Sequence, residues 1–141
     1  MALIARYLVD TSVWARRRHP RVAARVVPLI GAGLVATCSV LDGEALYSTQ
    51  SPAEHEQTRH ERRAAYEFLV TDQEAWDRAL EVQRQLAARS MTRSVGIPDL
   101  LIAAVGELHR VTVLHHDADF EHVAAITGQP VEWVVPRGDA P

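Results

Sequence analysis

Tyr7-Leu8-Val9, a short apolar run close to the N-terminus, stops at a carboxylate, Asp10, followed by two hydroxyls, Thr11 and Ser12. A continuous run of this kind reads as a buried strand of a parallel sheet rather than as the alternating pattern of a half-exposed strand. The charge at its end constrains the fold further. In mid-strand Asp10 would only cost solvation, whereas at the carboxyl end of a strand in an open α/β sheet it lies where ligands bind. A carboxylate there also suits the N-cap of the next helix, a job for which Thr11 and Ser12 are rivals. On this stretch alone, cap and ligand are equally good readings of Asp10.

The same alternation continues along the chain. A short helix after Trp14 runs into the Arg cluster and stops before Pro20, and a second runs from Arg21 to about Gly31. Leu34-Val35-Ala36-Thr37-Cys38 is a second strand, and Ser39-Val40-Leu41-Asp42 has the spacing of a capping box that opens another helix and gives Asp42 a structural task. Glu44, about 200° around that helix from Asp42, has no cap to form. Ser51-Pro52-Ala53-Glu54 and Thr71-Asp72-Gln73-Glu74 are two further boxes that launch long helices. The first is expected to present Ala64, Ala65, Phe68 and Leu69 on one apolar face. The second should present Trp76, Ala79, Leu80, Leu86 and Ala87.

Pro98 opens a later helix with Asp99 in its first turn, where the macrodipole favours a carboxylate. Ala103 and Gly106 share the face of Asp99, so this helix can approach the sheet closely. Val111-Thr112-Val113-Leu114-His115 is another strand, broken by His116-Asp117-Ala118-Asp119-Phe120, and a short helix then reaches Gly128. Val131 to Val135 is the last strand, followed by a tail from Arg137 that reads as frayed. Strands separated by helices define an α/β chain, and its length of 141 residues suits a single domain spanning 1–141.

Composition removes several chemistries. All 15 basic residues are Arg, so no lysine is available for a P-loop, for a Schiff base or for the partner of a phosphorylated aspartate. A haloacid-dehalogenase-type phosphatase is disfavoured as well, since Ser12 stands where that motif needs a second aspartate. Cys38 is the single cysteine, which excludes an internal disulfide and a thiolate metal cluster. With no membrane-length apolar segment and no export signal, the expected setting is the cytoplasm, without membrane contact. The net charge of −3 argues against a nucleic-acid coat but is compatible with a nuclease whose acids are balanced by cations. The basic cluster Arg16, Arg17, Arg18, Arg21 and Arg25 reads as a solvated helix face ahead of a phosphate-contacting patch.

Four acids fall at the ends of separate elements: Asp10 after the first strand, Glu44 past the second, Asp99 at a helix start and Asp117 after a later strand. Brought to one edge without a cation, they would repel and raise one another's pKa. A hard divalent ion with oxygen ligands relieves that, and an all-carboxylate set suits Mg²⁺ or Mn²⁺. Such a site serves phosphodiester hydrolysis. Two competing readings are a metal-free ribonuclease using histidines such as His55 or His116, and a non-catalytic α/β binding module whose acids only cap helices. A single strand of DNA is a possible substrate as well.

Leu8-Val9-Asp10-Thr11-Ser12, Glu44 in the helix after the second strand, Ile97-Pro98-Asp99-Leu100-Leu101-Ile102-Ala103-Ala104 and His116-Asp117-Ala118-Asp119-Phe120 resemble, in order, the four motifs of PIN-domain proteins, specifically the VapC-type toxins of bacterial type II toxin-antitoxin pairs. The resemblance implies a three-layer α/β/α domain around a mostly parallel sheet of about five strands, the first strand central. It also implies a Mg²⁺-dependent endoribonuclease held inactive by a VapB-type antitoxin. By the same resemblance Asp10 and Asp99 are the leading metal ligands, completed by Glu44 and Asp117. Ser12 or Thr11 would orient Asp10, and Asp119 would cap the following helix or hold a metal-bound water. His115-His116 departs from the Thr-Arg often found there, which bears on RNA contact. The helices between Ser51 and Ser90 carry more apolar surface than a small sheet needs, which points to a homodimer or an antitoxin groove.

Overall fold

The computed structural model describes residues 3–141. Five strands, β1 (Tyr7–Val9), β2 (Val35–Cys38), β3 (Glu67–Leu69), β4 (Thr112–His115) and β5 (Val131–Trp133), form one sheet in the order β3-β2-β1-β4-β5. Every pairing is parallel, with β1 at the centre as expected. The helices between them are α1 (Thr11–Trp14), α2 (Pro20–Gly31), α3 (Ser39–Tyr47), α4 (Pro52–Ala65), α5 (Gln73–Ala88), α6 (Ile97–Leu108) and α7 (Asp119–Thr127). Among the described residues no helix is long and apolar enough to cross a membrane.

The period of two along each strand divides the core into two layers. Leu8, Ala36, Cys38 and Val113 face one cluster with Phe120 and the buried sides of α5 and α6. Val9, Val35 and Leu114 face another, with Val13, Val22 and Val26 of α1 and α2. Strands buried on both faces are what continuous apolar runs require. The chain leaves β1 toward β2 and β3, then returns to the other side of β1 through β4. The crevice between the carboxyl ends of β1 and β4 is therefore a topological switch point, the place where open α/β sheets receive ligands.

Gly106 lets α6 lie against β4. A Cβ at this position would stand 2.9 Å from Val113 Cγ2 and 3.6 Å from the Val111 carbonyl oxygen. With Leu100 to Gly106 wholly buried, α6 is the central helix of its layer, and the first turn carrying Asp99 is placed with it.

Several local expectations are corrected. Phe68 and Leu69 do not continue the α4 face: the helix ends at Ala65, and Glu67–Leu69 is an edge strand paired to Ala36–Cys38. Tyr-Glu-Phe-Leu-Val has strand propensity, and the vacant edge of β2 gives it a ladder that overrides helical spacing. No side chain caps α3. Cys38 is its N-cap residue, while Asp42 instead accepts from the Thr37 hydroxyl at 2.7 Å and from Arg62 Nε at 2.9 Å. The Thr71 box is displaced by one residue, Asp72 accepting from the Ala75 amide at 3.1 Å. The Ser51 cap stands, accepting from the Glu54 amide.

Helix α5 buries Ala75, Ala79, Val82 and Leu86 but leaves Trp76 and Leu80 exposed. The first helix is a single turn, Thr11–Trp14, that lies before the stretch expected to be helical rather than after Trp14, and Pro98 is the second residue of α6. The tail is docked, with Ala140 buried, its carbonyl accepting from Arg16 Nε at 2.9 Å, and Asp139 paired with Arg21 at 2.6 Å. Within the basic cluster Arg16, Arg21 and Arg25 are paired to other segments, while Arg17 and Arg18 are exposed, Arg17 donating locally to the Trp14 carbonyl at 2.9 Å.

Candidate active site

Asp99, Asp117 and Asp119 gather at the switch point, and Asp10 and Glu44 stand near enough for their charges to act on Asp99. Asp10 is buried, and its amide extends the sheet by donating to the Leu114 carbonyl at 2.9 Å. Its carboxylate accepts from the Ser12 amide at 2.9 Å, so Asp10 does cap α1. That cap occupies Oδ2, and a carboxylate has a second oxygen for a ligand. Burial raises the Asp10 pKa, opposed by hydrogen bonding from Ser12 and Thr11 and reinforced by the charge of Asp117.

Helix α3 carries Glu44 to the same place, where its Oε1 accepts from the Thr11 hydroxyl at 3.1 Å. Burial, and then the charge of Asp10, raise its pKa. Beyond β4, Asp117 Oδ1 accepts from the Asp119 amide at 2.9 Å and its own amide donates to His115 Nδ1 at 3.2 Å. The cap-like bond at the start of α7 is thus made by Asp117. The Asp119 side chain is free to join the acids, contrary to the capping role allowed for it. Carboxylate oxygens of Asp99, Asp117 and Asp119 lie within 4.8 Å of one another. Asp119 is raised by burial and by Asp117.

Asp99 feels the whole assembly. Burial and then the charges of Asp10, Asp117, Asp119 and Glu44, in that order, push it up to about 7. Five acids from α1's cap, α3, α6 and the start of α7 therefore share one electrostatic site. The donors are all carboxylate oxygens, and Cys38, the one thiol, is buried in the core. This set fits a hard divalent cation, whose charge would relieve the repulsion the acids exert on one another.

Two side chains tie the loops of the site together. Ser12 Oγ accepts from the His116 amide at 2.9 Å, linking the end of β1 to the end of β4. Arg16 donates to the Ser12 carbonyl at 2.8 Å as well as to Ala140. The sequence shows Arg16 only as part of a basic cluster: its acceptors are backbone carbonyls, one four residues back at Ser12 and the other in the distant tail at Ala140. His115 is fully buried between Phe120 and Trp133, with ring centroids 5.2 and 4.9 Å away, and burial pushes it down to about 4. Neutral, and accepting from Asp117 through Nδ1, it ends the strand and orients the acidic loop. It is no proton shuttle at neutral pH. His55 lies exposed on α4.

Comparison with known proteins agrees with this geometry. Residues 7–126 match the PIN domain family. The chain is 46% identical over 138 residues to Ribonuclease VapC21 of Mycobacterium tuberculosis, covering 98% of this chain and 100% of that protein. It is 46% identical over 133 residues to Ribonuclease VapC51 of the same organism, covering 94% and 96%. Among solved structures, DNA-bound VapBC from Salmonella typhimurium superposes with a TM-score of 0.73 at 18% identity, over 93% of this chain and 99% of that one.

Proposed function

The chain belongs to the PIN-domain family, among its VapC-type ribonucleases, and on that premise we propose that it is a cytoplasmic endoribonuclease toxin that hydrolyses RNA phosphodiester bonds with Mg²⁺ or Mn²⁺. Asp10 and Asp99 are its leading metal ligands, Glu44 and Asp117 complete the set, and Asp119 joins them. The observation that carries this reading is the gathering of Asp99, Asp117 and Asp119, with carboxylate oxygens within 4.8 Å of one another, where burial and then the charges of Asp10, Asp117, Asp119 and Glu44 push Asp99 up to about 7. Such repulsion is costly in a site with only a structural task and useful in one that receives a cation and a phosphate.

When bound, the cation supplies Lewis-acid polarisation of a phosphate oxygen, a more acidic attacking water and neutralisation of developing charge. The chain's own residues hold the geometry. Ser12 and Thr11 fix the orientation of Asp10 and Glu44 through hydrogen bonds, and Ser12 joins both loops so that Asp10 and Asp117 keep their separation. His115 fixes the Asp117 backbone. A VapB-type antitoxin is the partner that would keep the toxin inactive, as the VapBC complexes among similar structures suggest. A homodimer is the proposed assembly.

Purified protein should cleave RNA with Mg²⁺ or Mn²⁺ and stop on addition of EDTA. The double substitution Asp10→Asn, Asp99→Asn should remove cleavage and calorimetric Mn²⁺ binding while leaving the fold intact by circular dichroism. Robust cleavage by that double variant would refute the assignment.

A further inference from the structure

Beside the acids lies a cavity of about 620 Å³ between α1, α3 and α4. Thr11 and Glu44, already hydrogen-bonded to each other at the acidic site, also line it, so the cavity borders that site. Its aromatic walls are Trp14 and Tyr66, with ring centroids 5.8 Å apart and planes tilted by 34°. Arg62 lies over the Tyr66 ring, 5.1 Å from its centroid, and is held there by Asp42 and Thr37. Arg17, exposed, stands at the rim.

The lining has a mixed character that narrows the occupant. Glu44, Glu61 and Arg17 each hold one bond, to Thr11, Gln57 and the Trp14 carbonyl, and an apolar helix or side chain would strip water from their remaining polar atoms and from Thr58 without giving a partner in return. A nucleobase presents an apolar face for the rings and a polar edge for such groups, and unstacked bases of RNA are commonly received by aromatic side chains and arginine planes. A smaller cavity of about 240 Å³ offers the contrast: it shares Trp14 and Arg17, but its other walls, among them Val13, Val22, Val26 and Ile30, are all apolar, a setting for an apolar protein anchor.

Resting on the nuclease reading above, we propose that the larger cavity is the seat of one nucleobase next to the phosphate held at the acids, stacked on Trp14 beside Tyr66. Arg17 at the rim meets the phosphate on the far side of that nucleoside. Trp14 and Tyr66 are then specificity-determining residues, which set where the strand is cut.

The test uses uncharged nucleosides, which need neither a metal nor the acids. The chain has three tryptophans, Trp14, Trp76 and Trp133, hence three indole N–H resonances in the ¹⁵N-labelled protein. Titration with adenosine, guanosine, cytidine and uridine in EDTA should move the Trp14 resonance saturably at millimolar concentration for at least one of them, with Trp76 and Trp133 still. In cleavage assays Trp14→Leu should raise KM about tenfold with kcat and Mn²⁺ affinity little changed, and Trp14→Phe should restore it. A Trp14 resonance that stays still, or that moves in step with the other two, overturns the proposal. So does Trp14→Leu cutting at the same sites with unchanged KM, the result expected if the cavity serves a protein partner instead. Nucleoside-specific movement in a protein that cuts no RNA would sink the nuclease reading and leave the base seat, while EDTA-sensitive cutting with a silent Trp14 would do the reverse.

Discussion

Asp99 exemplifies a residue that serves a site at the expense of the fold. With a folded-state pKa near 7 against 3.8 for the free side chain, the folded protein holds a proton that the unfolded chain gives up between those values. Stability contributed by this group therefore falls as pH rises from about 4 to 7, and above 7 the full penalty is present. Three pKa units correspond to about 4 kcal/mol, of which roughly half survives solvent screening of a group that is not wholly buried. In EDTA, Asp99→Asn should then melt several degrees above the parent at pH 8, and the gap should close toward pH 4. Adding Mn²⁺ should reverse the order, since only the parent gains binding energy. Equal melting curves at pH 8 in EDTA would deny the repulsion. At this scale the sequence was generous. Asp10, Glu44, Asp99 and Asp117 were each visible as acids at element ends, because a carboxylate stands out where an apolar run stops. The cap role for Asp119 is decided only by structure, since its neighbour Asp117 makes the backbone bond that a capping residue would make, and the pairing of Asp42 is hidden because its partner Arg62 lies 20 residues away on another helix.

Between elements, the contact that sets the site is α6 on β4. Gly106→Ala would put a methyl group 2.9 Å from Val113 Cγ2, and the helix would have to lift, carrying Asp99 with it. A destabilisation of about 1–3 kcal/mol is expected, with loss of cleavage greater than the melting shift alone would cause. Gly43→Ala is the matched control: it lies inside α3 with nothing within 4 Å, so removing backbone freedom should stabilise by about 0.5–1 kcal/mol. Urea unfolding of both variants, together with Mn²⁺ affinity, separates the two effects. Close packing of Ala103 and Gly106 could be read from spacing, as could the order of helices and the buried strands. β3 could not. Its three residues follow a strongly helical segment without a break by Gly or Pro, and only the unpaired edge of β2 makes them a strand. The docked tail was equally hidden, since Arg16 and Arg21 bind it from more than 100 residues away.

For the whole molecule the question is what covers its remaining apolar surface. Phe68 at the edge strand, Val70 just after it, and Trp76 and Leu80 one turn apart on α5 are 54, 52, 40 and 47% exposed. An edge strand with apolar side chains facing water is a template for association, and soluble monomers normally blunt such edges. The acidic crevice, by contrast, lies past the carboxyl ends of β1 and β4, so a contact made through the β3 and α5 side leaves the crevice open to RNA. This separation predicts that self-association and catalysis can be uncoupled. Leu80→Glu introduces a charge into the apolar face without touching a buried residue, so it should shift the mass measured by light scattering from dimer to monomer. Melting temperature at low protein concentration and EDTA-sensitive cleavage should stay close to those of the parent. If the parent is itself monomeric, alone and with the proposed VapB-type partner, this face has another use. If Leu80→Glu abolishes cleavage while remaining folded, the crevice depends on the second copy after all, and the independence argued from the topology fails.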